Sequence, residues 1–329
     1  MDVKISIVIP TLNAEKYIRT QIERIFAQTI KPCEVIYIDS TSNDNTQKII
    51  LEYIEKNLPI KLKIIKREEF NHGRTRNEGA FLSRGNIIVF MTQDAIPYNE
   101  VWLENLIKPF GVRDDVACVF ARQMPFVDAT PIIKRELINH FNSFKSEDSD
   151  YTFQKVDFND RNSLKVYNEK KHWFWFNSNV CSAVRKDIFL QIKFKEIPYA
   201  EDQVFGKEII EKGFCKVYAH NAIVLHSHNY TLINFFKRYF DEYRGLKVSL
   251  DIDLVNKYNV LKVIFGNIVQ DVKYIFNNVD KRRVYWLIYS ILFEILRGGG
   301  AFLGSNYDKI PLSLQKYLSL EGKAIKPPR

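Results

Sequence analysis

The sequence predicts an α/β protein with a mostly parallel central sheet, flanking helices and a C-terminal helical extension. Three observations lead there. Short apolar, β-branched runs at residues 4–9, 34–38 and 87–91 alternate with segments of helical period, the pattern of βαβ units. A chain of 329 residues with 46% apolar and 14% aromatic content buries a large core. Beyond residue 230 the strand-like runs give way to long amphipathic stripes.

Residues 4–9 read as a first strand ending in Pro10-Thr11-Leu12-Asn13, followed by a helix with Tyr17, Ile18, Ile22, Ile25 and Phe26 on its apolar side. A second strand, 34–38, ends in Asp39-Ser40-Thr41-Ser42-Asn43-Asp44-Asn45-Thr46, a loop dense in capping and turn residues. A helix with Ile49, Ile50, Tyr53 and Ile54 comes next, then a third strand at 61–66. The fourth strand, 87–91, runs into Thr92-Gln93-Asp94, and Pro97 ends it.

Ligands collect at the carboxyl ends of strands in open α/β sheets, so Asp39 and Asp94 sit where chemistry is expected. With the Ser- and Thr-rich loop they suit a nucleotide. Asp39 can accept the N3–H of uracil or thymine, or a ribose hydroxyl, whereas Asp44 fits a helix cap as well as a ligand contact. No G-x-G-x-x-G follows either strand and no G-x-x-x-x-G-K occurs, which disfavours dinucleotide and phosphate-loop ATPase folds. Between the third and fourth strands, Phe70-Asn71-His72-Gly73-Arg74-Thr75-Arg76-Asn77 reads as a basic turn whose guanidinium forks suit phosphate.

In the next stretch, 102–110 reads as a short amphipathic helix, 117–122 as a strand and 145–171 as a polar loop near the site. Trp173-Phe174-Trp175-Phe176-Asn177-Ser178-Asn179 places aromatics beside amides, as a sugar face requires; a core strand edge is the other reading. Glu201-Asp202 heads a helix through Phe205, Ile209 and Ile210, where the dipole favours carboxylates. His226-Ser227-His228-Asn229-Tyr230 closes the region with a His-x-His on a strand end.

In their order these motifs resemble family-2 glycosyltransferases of the GT-A fold: Pro10-Thr11-x-Asn13, Asp39-x-x-Ser42-x-Asp44-x-Thr46, Gly73-Arg74-x-Arg76-Asn77 and Gln93-Asp94. Phe-Asn-His-Gly-x-Thr-Arg-Asn with Thr-Gln-Asp-Ala, and the later His226-Ser-His-x-Tyr230, are similar to the rhamnosyltransferase branch. The resemblance implies a nucleotide-sugar donor, dTDP-L-rhamnose, and a saccharide or lipid-linked saccharide acceptor. It assigns the donor to Thr11, Asn13, Asp39, Arg74, Arg76, Asn77, Gln93 and Asp94. It places a Mg2+ or Mn2+ on Asp94 with His226, and substrate contacts on Trp175, Asn177, Ser178, Asn179 and His228. The general base falls to the Glu-Asp pair, Asp202 first with Glu201 as rival. The family's D-x-D begins with an aspartate where this chain has Thr92. That departure leaves a non-catalytic subunit of a polysaccharide-assembly complex as a rival reading, and Asp39 would serve a UDP-hexose equally well.

The expected organisation is a nucleotide-sugar half (1–98), an acceptor half (99–230) and a helical region (231–329). Residues 234–329 hold 16 Lys/Arg against 9 Asp/Glu, nearly all of the net charge of +9. Lys281-Arg282-Arg283 ahead of the apolar stretch 284–296 suits an anionic membrane surface; packing on the core or on a second copy is the alternative. These cations alternate with apolar stripes, unlike a nucleic-acid arm. The glycines 298–300 are expected to break the last helix. No window holds the roughly 20 apolar residues of a membrane span, and the N-terminus lacks signal-peptide character. Cys33, Cys118, Cys181 and Cys215 are scattered, as in a reducing compartment. The chain is thus expected in the cytoplasm, peripheral at the inner face of the plasma membrane.

Overall fold

The computed structural model describes residues 3–146, 149–320 and 322. Its first part is β1 (Ile5–Thr11), α1 (Glu15–Phe26), β2 (Glu34–Asp39), α2 (Thr46–Glu55), β3 (Ile60–Ile64), α3 (His72–Leu82) and β4 (Ile87–Met91). These strands are parallel in the order β3-β2-β1-β4. Helices cover both faces, which is why β1, β2 and β4 read as continuous apolar runs. Ile7, Val35 and Val89 face one core with Ile18 and Ile22 of α1, while Val8, Ile88 and Phe90 face another with Ala80 of α3.

The chain continues through β5 (Ile96–Pro97), α4 (Trp102–Ile107), β6 (Val116–Met124), α5 (Pro131–Asn142), β7 (Tyr151–Gln154), α6 (Arg161–Glu169), α7 (Lys171–Trp175), β8 (Cys181–Arg185), α8 (Lys186–Gln191), α9 (Glu201–Glu211) and β9 (Cys215–Leu225). β8 lies antiparallel beside β4, then come β6, β9 and β5, with β7 on β9, giving a mixed sheet of nine strands.

Three segments differ from expectation. The basic segment after residue 70 is helix α3, started by Asn71, whose Oδ1 accepts from the backbone N–H of Gly73 and Arg74, each at 3.0 Å. The polar stretch 145–171 contains β7 and α6; Asp160 caps α6 by accepting from Ser163 N at 2.7 Å. The aromatic run at 173 falls in helix α7 and turns inward rather than forming a strand edge.

Two compact units result: Met1–Met124 with His140–Glu196 and Glu201–His226, and Pro125–Asn139 with Ile197–Ala200 and Ser227–Arg329. The expected nucleotide and acceptor halves share the one sheet and fall into the first unit, except the short inserts 125–139 and 197–200 and the end 227–230.

The second unit holds α10 (Leu232–Leu250), α11 (Val260–Asn278), α12 (Arg283–Ser305) and α13 (Leu312–Leu318). Here the glycines do not break the helix. A Cβ at Gly300 would lie 2.4 Å from Phe236 O, one at Gly304 2.4 Å from Phe240 O, and one at Gly298 2.4 Å from Ile264. They let α12 approach α10 and α11 closely, so the helix runs on through all three. By length and composition α12 is also long and apolar enough to cross a membrane, a window the apolar count alone had passed over.

Candidate active site

At the carboxyl ends of β1, β2 and β4, side chains stitch three loops together. Asp39 is fully buried, and its carboxylate accepts from Ser42 N (2.8 Å), Ser42 Oγ (2.6 Å), Gln47 Nε2 (2.6 Å) and Thr11 Oγ1 (3.2 Å). Those donors meet all of its roughly four lone-pair positions. Asn13, in the left-handed region at φ 51°, donates its N–H to Ser42 Oγ at 2.8 Å and accepts from Asn43 N at 2.8 Å. Asp44 accepts from Thr46 N and from Glu15 N, each at 3.0 Å, and so caps both first helices. Gln93 embraces the Leu12 backbone, accepting its N–H at 2.6 Å and donating to its carbonyl at 2.9 Å.

Just past β4, Asp94 Oδ2 lies 3.6 Å from His226 Nε2, both side chains about 15% exposed (15% and 14%). The other ring nitrogen of His226, Nδ1, is 3.0 Å from Gln123 Oε1, whose own Nε2 donates to Ser178 Oγ at 2.9 Å. An amide oxygen only accepts, so Nδ1 carries the proton, and a neutral ring turns its Nε2 lone pair towards Asp94. A carboxylate and an imidazole lone pair at this separation suit one divalent ion, because ligands at about 2.0–2.2 Å from a metal lie about 3–3.5 Å apart. Gln123 then plays the orienting part that a metal-bound histidine normally finds in a neighbouring acceptor.

The Ser178-Asn179-Val180 loop joins this end of the sheet to the head of α9. Thr92 N donates to Val180 O at 3.2 Å, and Asn179 N donates to Asp202 Oδ2 at 3.1 Å. Asp202 Oδ1 takes Gln203 N at 2.8 Å, and the carboxylate stays half-buried. Burial and the neighbouring Glu201 charge push the Asp202 carboxyl up to about 7, against the pull of Asn179 N–H and Arg76. Glu201 is itself buried; its Oε1 accepts from Arg76 Nη1 at 3.0 Å and from Asn179 Nδ2 at 3.3 Å. Ala200, directly before the pair, is held at φ 63°, a strained position for a residue with a Cβ.

The helix α3 motif faces this pair from within the fold. Arg76 is buried and also donates to His72 O at 3.2 Å. Asn77 grips the Phe194 backbone, donating to its carbonyl at 2.9 Å and accepting its N–H at 3.1 Å. A Cβ at Gly73 would lie 2.1 Å from Lys195 O. Arg74 alone among these cations is exposed, paired with Glu196 at 2.7 Å.

Trp175 is buried, its Nε1 donating to Tyr167 OH at 2.8 Å, so its ring is no open sugar platform. Asn177 is buried with Oδ1 accepting from Cys118 Sγ at 3.5 Å, and its Nδ2 has no partner among the described residues. His228 belongs to the second unit and stacks on Tyr230, ring centres 4.9 Å apart. Gln123 was missed in the sequence, although its place at the carboxyl end of β6 is the same signal that marked Asp94.

A mixed sheet whose parallel strands β2 and β4 lead into carboxylates, with an acid pair heading a helix, points to a class of enzyme, and the sequence agrees. The model of Glycosyl transferase family 2 matches residues 6–192, and the chain belongs to that family. It is 30% identical over 322 residues to the O-antigen chain rhamnosyltransferase RfbN of Salmonella typhimurium, covering 96% of this chain and 94% of that one. To WbaN of Salmonella anatum, described in the same words, it is 29% identical over 321 residues, covering 96% and 93%. Among solved structures it resembles the mannosyltransferase PcManGT from Pyrobaculum calidifontis in complex with GDP-Man and Mn2+. That match has a TM-score of 0.61 at 13% identity and covers 94% and 88% of the two chains. The fold is GT-A.

Proposed function

We propose that the chain is an inverting rhamnosyltransferase that moves L-rhamnose from dTDP-L-rhamnose to a saccharide or lipid-linked saccharide acceptor in cell-surface polysaccharide synthesis. Support for the sugar comes from the two relatives named as O-antigen chain rhamnosyltransferases. Support for the chemistry comes from one observation: Asp94 lies 3.6 Å from His226, whose ring is hydrogen-bonded through Gln123 to Ser178, and the next residue on that loop, Asn179, donates to Asp202.

In this reading Asp202 takes the proton of the acceptor hydroxyl, whose oxygen bonds to the anomeric carbon as the bond to the diphosphate breaks on the opposite side. Its raised affinity for a proton suits a base working near neutral pH. Glu201, engaged by Arg76 and Asn179, holds the loop and sets the field at Asp202. Asp39 reads the imide N–H of the base once one of its four donors gives way. Asp94 and His226 would hold Mg2+ or Mn2+, and His228, two residues along the chain, would meet the diphosphate. When bound, such an ion neutralises the charge developing on the leaving diphosphate.

A panel of sugar nucleotides tests donor and metal together. Turnover is expected with dTDP-rhamnose, lost in EDTA and in Asp94→Asn, and restored to wild type by Mg2+ or Mn2+. A UDP-hexose used in preference would overturn the donor assignment, and full activity in EDTA would overturn the metal.

A further inference from the structure

We infer that α11 and α12 of the second unit form a face that binds the surface of an anionic bilayer. On α12, Val284, Ile288, Ile291 and Ile295 recur every three or four residues and are 71%, 57%, 42% and 50% exposed; Leu292 lies beside them. The opposite side of the same helix is accounted for, with Phe293, Glu294, Gly298, Gly300 and Gly304 buried. On α11, Leu261, Phe265 and Phe276 are 78%, 69% and 55% exposed. The fold needs none of these side chains inside, and so many large apolar groups left outside on two adjacent helices mark an interaction surface.

Charge selects the occupant. Lys257, Lys262, Lys273, Lys281, Arg282 and Arg283 are all exposed on or beside these helices. Between residues 257 and 297 the acids are Asp271 and Glu294, both buried, and Asp280, the one exposed. A second copy docked by a two-fold axis would set this patch against itself, cation to cation. Anionic headgroups neutralise the cations while the apolar stripe enters the acyl boundary, the arrangement of an interfacial amphipathic helix. Crossing the bilayer suits α12 poorly, since its other side carries glycines and the buried Glu294 packed within the unit.

The test is flotation of the full chain with vesicles of phosphatidylcholine, with and without phosphatidylglycerol. The wild type is expected to float only with phosphatidylglycerol, and less as salt rises. Replacing Lys281, Arg282 and Arg283 with Gln should lower partition about a hundredfold, three basic groups each contributing near the surface. Ile288→Ser with Leu292→Ser should abolish flotation while leaving the melting temperature unchanged, because both side chains are exposed. A wild type that stays with the unbound protein overturns the inference, as does a triple Gln variant that floats undiminished. Light scattering covers the second copy: a dimer that the serine variant turns into monomer, with no vesicle binding, assigns the face to self-association and overturns the bilayer.

Discussion

The first unit has a buried ion pair at Arg76 and Glu201, and the second has a larger buried cluster on α5, α11 and α12. In the cluster Arg135 bonds Asp271 and lies 3.3 Å from Glu294, while Arg297 bonds Glu136 at 2.7 Å and lies 2.9 Å from Glu294. Burial raises both Asp271 and Glu294, so this acid-rich cluster retains protons that free carboxylates would lose. By ion count alone the cluster looks the better candidate for a site. What sets it apart is that its acids are paired with cations of the same cluster. Beside Arg76 and Glu201 sits half-buried Asp202, tied by one loop to Asp94; beside Arg135 every acid of the cluster is committed to a cation inside the helices. A buried charge is weak evidence of chemistry until something next to it can reach a substrate.

The largest effect that would sharpen this contrast is at Asp202. Asp202→Asn should cut kcat by about two to four orders of magnitude, the usual worth of a positioned base, with donor affinity nearly unchanged. In the wild type kcat/KM should fall as pH drops through about 7, where the carboxyl gains its proton. A raised carboxyl weakens the fold as pH climbs from its unfolded value through its folded one, so Asp202→Asn should melt higher than wild type at pH 8 and equally in acid. Full turnover in the variant would move the base to Glu201.

Next come the two arginines. Removing one partner of a buried pair costs about 3–5 kcal/mol, so Arg76→Met and Arg135→Met should each lower the urea midpoint by a comparable amount. Only the first should touch catalysis. Without the Arg76 charge, which favours the ionised form of Asp202, the acid limb of kcat/KM should move to higher pH. Arg135→Met, measured below its unfolding transition, should keep the wild-type profile. Equal pH profiles for both variants would erase the distinction drawn here.

The strands β1, β2 and β4 were readable because burial on both faces leaves unbroken apolar runs; Asp94 stood out at a strand end, and Asp202 in an acid pair that heads a helix. Helix α3 was not. Its buried residues are Gly73, Thr75, Arg76, Gly79 and Ala80, small or polar, so no apolar stripe announces it. Its arginines suggested phosphate because their partners lie far along the chain: Glu201 is 125 residues from Arg76. The glycines of α12 misled for a related reason, since a propensity scale cannot show a helix pressing against the other side.

The smallest predicted effect concerns Gln123, whose amide holds the His226 ring from the side away from Asp94. Gln123→Leu keeps the volume but removes the acceptor for Nδ1 and the donor to Ser178 Oγ. The ring can then turn or exchange its tautomer, and its Nε2 lone pair is no longer fixed. Loss of such an orienting partner weakens metal affinity by about ten- to a hundredfold. A Mn2+ titration followed by melting temperature should show that weakening, while kcat at saturating Mn2+ returns towards wild type, because Asp94 and Asp202 are untouched. Gln123→Glu keeps an acceptor for Nδ1 and should bind Mn2+ at least as tightly as the wild type. If Gln123→Leu binds Mn2+ normally yet loses kcat, the glutamine acts through Ser178 on the loop that carries Asn179 to Asp202. The Asp94 end of the site would then owe it nothing.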